Sequence, residues 1–210
     1  MIGAARAPFG ETFWQPFLAR AGTFALRVTD CGEGFQEGDV LEEVSALLAG
    51  FDKRLAPILE VDPDGRIEFV VTANGNRGAF PIARRLVRAA PALDAWRFIA
   101  LKPRRALDLR QSVSLPSGAP VPLEEIRVAM VPSRRGVEIA LLMPVDARDP
   151  EAARRCRPLA RTIVLALIGE EDMATRVIDI EVFPLSVLQP NSSTLSLGQL
   201  VTEFDRVLAA

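Results

Sequence analysis

The sequence predicts an α+β protein, with mixed sheets built from two β-β-α-β units and with flanking N- and C-terminal helices. Three observations carry that reading. Stretches such as Ile67-Glu68-Phe69 and Ile178-Asp179-Ile180-Glu181-Val182 alternate with period two, and they are interleaved with stretches of helical period. Turn-forming residues join strands in pairs at Asp62-Pro63-Asp64-Gly65 and at Pro132-Ser133-Arg134-Arg135-Gly136. The order strand, strand, helix, strand occurs twice, and the intervening helix implies a right-handed crossover that sets two strands parallel.

Taken in order, Phe13, Trp14, Phe17, Leu18, Ala21, Ala25 and Val28 recur at helical spacing, so one amphipathic helix is expected from Thr12 to Val28, with Pro16 in its first turn. Gly-rich Cys31–Gly38 should break it. Asp39 offers an N-cap for a second helix through Val40, Val44 and Leu48, ended by Gly50. Ile58–Val61 and Ile67–Thr72 form the first hairpin, and a helix starts near Phe80 with Pro81 at its first position. Ile82, Ala83, Leu86, Val87 and Ala90 make its apolar face, while Arg84, Arg85 and Arg88 cover the other. A strand at Ala95–Leu101 completes the first unit.

Prolines from Pro103 to Pro122 forbid a long regular element, which leaves a connector with one edge strand around Val113. Ile126–Val131 and Val137–Met143 form the second hairpin, Asp149-Pro150 opens a helix to Ile168 with Gly169 as its stop, and Val177–Phe183 is the next strand. The stretch from Leu159 to Ile168 is apolar nearly all round and should be the most buried helix. A last helix fits Ser196–Leu208. The expected organisation is a single α+β domain over residues 1–210, with two similar halves at about 40–110 and 123–210.

The apolar share of 49% and mean hydropathy of +0.19 are those of a chain that buries a core. The longest apolar run, Ile163–Ile168, is far short of the roughly 20 residues a membrane span needs. The opening residues lack a basic stretch followed by an apolar core, so no secretory signal is read. Cys31 and Cys156 match no metal or redox spacing, and a reducing cytoplasm is the expected compartment.

There is no His and no Tyr. Serine and cysteine hydrolases that use an imidazole base are thereby excluded, as are His-based zinc sites. Lysine chemistry is limited to Lys53 and Lys102, so any catalysis would fall to Asp and Glu. Charge is uneven: residues 77–110 hold 9 basic and 2 acidic side chains, against 6 and 12 in residues 1–76.

Thr72-Ala73-Asn74-Gly75, Phe80-Pro81, Ala90-Pro91, Trp96, Phe98 and Ala100-Leu101-Lys102-Pro103-Arg104 form a set of short motifs, joined by Leu167-Ile168-Gly169-Glu170 and Ile178-Asp179-Ile180-Glu181. In these residues, over about Leu41–Leu185, the chain resembles a family of uncharacterised bacterial proteins. The resemblance implies no chemistry. Asn74 stands where that pattern has an acidic residue.

Three stretches are candidates for function. Glu170, Glu171 and Asp172 would lie just past a helix C-terminus, where carboxylates oppose the dipole, unless they are simply solvated in a loop. Glu170 is the first choice there, as a cation ligand or as a partner of the basic island. Arg84, Arg88, Lys102 and Arg104, with Arg85, Arg105 and Arg110, could hold a phosphate or a carboxylate-rich partner, or form a solvated, paired surface. Gly32–Gly38 has the look of a dinucleotide loop, but its spacing is one residue off and Glu33, Glu37 and Asp39 would repel a pyrophosphate. Asn191–Thr194 reads as loop and cap, with Ser192 and Ser193 lacking a base.

The leading expectation is a non-enzymatic cytoplasmic interaction or regulatory protein that meets a protein partner or a second copy of itself. The alternative is a binding module or enzyme for an anionic small molecule, with Arg84, Arg88, Lys102 and Arg104 as anion holders and Glu170 as the carboxylate. No cofactor, metal site or membrane partner is assigned, although the alternative would allow Glu170 to act as acid, base or metal ligand. Nucleic acid is not the expected partner, because Trp96 and Phe98 alternate on a strand as core residues do.

Overall fold

Phe13, Trp14 and Phe17 form the buried stripe of α1 (Glu11–Leu18). In the computed structural model, which describes residues 9–29, 37–188 and 193–209, α1 does not continue to Val28. Ala19 and Arg20 form a turn in which the Arg20 N–H donates to the Phe17 carbonyl (3.0 Å), and α2 (Ala21–Thr29) starts afresh. Residues 13, 14 and 17 form one stripe and Ala21, Phe24 and Val28 a second, and the turn aims both into the core. Pro16 lies at the sixth residue of α1, not in its first turn, so the Thr12 carbonyl loses its helical donor two residues before the helix ends.

The chain divides between Pro103 and Arg104 into two compact units, a boundary inside the expected connector. In the first, α3 (Glu37–Phe51) begins before Asp39 and runs past Gly50, so neither residue is its terminus. Cys31 to Gln36 lie outside the described residues. β1 (Ala56–Val61) and β2 (Ile67–Thr72) form the expected antiparallel hairpin. α4 (Phe80–Arg88) follows a short 3-10 turn at Arg77–Ala79 and leads to β3 (Trp96–Ala100), which lies parallel to β2. The sheet order is β1-β2-β3.

The core of this unit has a cluster of rings at its centre, flanked by aliphatic Val40, Val44, Leu48, Ile67, Val71 and Leu86. Phe17 packs against Phe13, Phe24, Phe69, Trp96 and Phe98, with ring centroids 5.0 to 5.8 Å apart. Trp14 keeps its polar handle satisfied by donating from Nε1 to the Leu86 carbonyl, 3.1 Å away.

The second unit starts with a small hairpin, β4 (Ser112–Ser114) on β5 (Pro120–Pro122), where the proline-rich stretch allows only three-residue strands. β6 (Arg127–Ser133) and β7 (Gly136–Met143) are joined by Arg134-Arg135 alone, a tighter connection than the five-residue turn expected. At Gly136 φ is +142°, and a Cβ would come within 2.2 Å of the Arg176 carbonyl oxygen. α5 (Pro150–Arg176) crosses to β8 (Val177–Pro184), which is parallel to β7. β9 (Leu195–Ser196) pairs with β6, giving the order β8-β7-β6-β9. α6 (Leu200–Leu208) follows a capping box between Ser196 and Gln199.

Both units therefore carry a hairpin, a crossover helix and a third strand parallel to the second, as expected. The core of the second unit is aliphatic, with Ile139, Leu141, Val164, Ile168 and Ile180 prominent and Phe204 its one ring. Ile178 departs from the expected alternation: a register shift at Val137/Glu138 leaves it 45% exposed, while Ile180 and Val182 remain buried.

Candidate functional site

Gly169 is a break inside α5, not its end. Its φ of 80° and ψ of 166° are far from helical, and the helix resumes to Arg176. Glu170, Glu171 and Asp172 thus occupy the first turn of a new helical segment, where carboxylates complement the dipole. The expected conflict with the dipole is absent, and with it the reason to single out this cluster. Glu170 is 2% exposed, in the most buried stretch of the helix.

The carbonyls left without helical donors at this break are met by the chain just past the unit boundary. Arg105 donates its backbone N–H to the Ala166 carbonyl (2.7 Å), and Arg104 donates Nε to the Ile168 carbonyl (3.2 Å). The remaining nitrogens of Arg104 reach Asp172 (2.7 Å) and both oxygens of Asp205 on α6 (2.8 Å each). Hydrogen bonds donated to Asp205 and then Asp172 hold the guanidinium even more firmly protonated than usual, and the bond from Arg104 pulls the Asp205 carboxyl below the ordinary range. Arg104 clamps the break in α5 to α6, with each of its three guanidinium nitrogens engaged.

The other predicted anion holders lie in the first unit. α4 buries Phe80, Ala83 and Leu86 and turns Arg85 and Arg88 outward, with Arg84 half-buried one turn before Arg88. The Arg85 guanidinium lies 4.1 Å from the Phe9 ring centroid, which orients it over an aromatic face. No acidic residue occurs between Glu68 and Asp94. Lys102 is half-buried just after Leu101, whose φ of 65° is unusual for a leucine; the Leu101 N–H donates to the Val71 carbonyl at 2.9 Å. Arg84 and Arg88 are thus brought together on one helix, whereas Arg104 is bound elsewhere.

Three features were missed by reasoning from sequence. Glu68, 3% exposed in the central strand, pairs across to Arg97 on β3 at 3.1 Å; its place in the alternating Ile67-Glu68-Phe69 with Arg97 between Trp96 and Phe98 was the available signal. A groove of about 380 Å³ runs between the first turns of α5 and the end of β8, lined by Asp149, Ala153, Arg154, Arg157 and Phe183 among others. Its existence depends on two elements some 25 residues apart meeting, which no local pattern announces. Cys156 is buried at 2% exposure, and burial pushes its thiol pKa up.

Among the described residues, no group of three or more Cys, Asp or Glu side chains is placed to hold a metal ion, and no helix is long and apolar enough to cross a membrane. Asn191 and Ser192 lie outside the described residues, and Thr194 accepts from Arg127 through its hydroxyl and carbonyl. Comparisons with protein-family models, with curated proteins and with solved structures each returned no match.

Proposed function

We propose that this chain is a non-enzymatic interaction protein that docks an acidic protein partner on the arginine face of α4. The observation carrying this reading is that α4 presents exposed Arg85 and Arg88 in a stretch with no acidic residue from Phe69 to Leu93. An amphipathic helix that seats its apolar face and concentrates guanidinium groups on the other suits planar, bidentate recognition of carboxylates. Part of the cationic character has a local role, since Arg85 and Arg88 in the last turn also favour the helix dipole.

The reading as an anionic small-molecule site draws on the same helix together with Lys102, but it would do so without Arg104. A labelled oligoglutamate peptide, titrated by fluorescence anisotropy, tests the docking reading. Binding should weaken steeply with salt and be lost in the Arg85→Glu, Arg88→Glu double variant, while a single-stranded oligonucleotide of equal charge binds more weakly. Equal binding by wild type and double variant would sink it.

A further inference from the structure

β8 is an edge strand of the second unit's sheet, and its outer side is closed along one half and open along the other. At Ile180 the backbone N–H donates to its neighbour's Asp179 Oδ1 (2.8 Å), and the carbonyl accepts from Arg157 Nε (3.2 Å). Both groups therefore point away from β7 and both are capped, which is how natural edges avoid pairing with stray strands. Residues of a strand alternate in direction, so Val182, two further on, also turns its N–H and carbonyl outward. That rung opens into the groove beside α5, whose wall is Ala153, Arg154 and Arg157 and whose apolar lining includes Phe183, 41% exposed, and Pro184.

Charge decides what fits. Asp149 and Glu181 also line the groove, but Asp149 is engaged by Arg155 and by the Glu151 N–H, and Glu181 lies 3.5 Å from Arg157. Arg157 is in turn held by Asp179 and the Ile180 carbonyl. Arg154 differs: its side chain is 75% exposed, and its ion pair is with Glu151, itself 55% exposed, a surface pair of the kind that is readily exchanged. The charge the groove can offer is positive.

We propose that this groove binds a short extended peptide ending in a free carboxylate. The peptide adds to β8 at Val182, its last apolar side chain lies against Phe183 and Ala153, and its carboxylate is taken by Arg154. The Arg157 and Asp179 caps at Ile180 set where such a peptide must stop. Backbone hydrogen bonds supply affinity, and the groove and the arginine supply selectivity for a chain end.

The test is an array of short, dye-labelled peptides with apolar last residues, each made with a free C-terminal carboxylate and as the C-terminal amide, titrated against the full chain by fluorescence anisotropy. Free-acid peptides should bind, and the matching amides should bind about tenfold or more weakly, the loss of one charge-assisted contact. Arg154→Glu, a change on an exposed side chain, should reproduce that loss. Val182→Pro removes an outward N–H and no ladder bond, and should abolish binding. Should that variant fail to fold, N-methylation of the peptide backbone probes the same bond from the ligand side. Arg85→Glu, Arg88→Glu should bind these peptides like wild type, so this proposal and the α4 reading fail separately. Equal binding of acids and amides, insensitivity to Arg154→Glu, or no peptide bound up to roughly millimolar concentration, the weakest affinity of interest, overturns it.

Discussion

The two units share a hairpin with a third strand parallel to its second, to which the second unit adds β9, and they build that pattern from different materials. The first packs a nine-residue crossover helix and two short N-terminal helices over a nest of rings centred on Phe17. The second spans the equivalent crossover with 27 residues, broken at Gly169, over an aliphatic core. A hairpin followed by a parallel strand is thus specified by turn residues and alternation, while the composition of the core is free to vary as long as it fills space.

The sharpest way to break this comparison is to remove one member of each core. Phe17→Ala empties the centre of the ring cluster and should cost about 3–5 kcal/mol. Hydrogen exchange should show protection lost in α1, β2 and β3. Phe204→Ala, with a single ring at stake among aliphatic neighbours that can close in, should cost less by the same measurement, and an equal or larger loss would contradict the contrast drawn here.

The hairpin exits offer the next test. Gly65 in the first unit and Gly136 in the second both have positive φ, but a Cβ at Gly65 meets open space and one at Gly136 meets the Arg176 carbonyl. Gly65→Ala should cost about 1 kcal/mol, the penalty of the left-handed conformation. Gly136→Ala should cost about 3 kcal/mol, since the strands must also move apart, and urea titrations of the two variants would measure the gap.

The Arg104 clamp has no counterpart described in the first unit. Arg104→Ala should lower stability by about 1–2 kcal/mol, allowing for its partial exposure. Because Asp205 has a depressed pKa in the fold, its contribution is present at neutral pH and is lost as pH falls from the ordinary carboxylate value through the lower folded one. The variant should therefore lose less stability than wild type between pH 7 and pH 3, a difference that thermal melts across that range would read. The smallest effect belongs to Ser196→Ala: loss of the capping box ahead of α6 should cost about 1 kcal/mol or less, seen as a shift in Tm.

Much of this architecture was legible because it is local. Asp62-Pro63-Asp64-Gly65 announces its hairpin, Phe80-Pro81 its helix start, and the alternation of Trp96 and Phe98 its strand. What failed was local evidence overruled by packing. Helical spacing continues smoothly from Phe13 to Val28, yet two stripes of apolar residues can face one core only if the chain turns between them at Ala19 and Arg20. Gly169 reads as a stop, but Ala166 and Ile168 find donors in Arg105 and Arg104, more than 60 residues away, so the helix can break and resume. Arg104 looked like a spare cation for the same reason: its carboxylate partners Asp172 and Asp205 are distant in sequence. The pairing of Arg84 with Arg88 on a helix face was readable from their spacing, and the groove beside β8 was not.

Cys156 sits on α5 one residue from Arg157, the side chain that closes the edge of β8. A thiol that is shielded and reluctant to ionise reacts only when its surroundings open. With Cys31 replaced by serine, the rate at which a disulfide reagent modifies the chain becomes a clock on the loosening of that helix. A ligand seated in the neighbouring groove would slow the clock, giving a readout of occupancy that needs no label on the ligand.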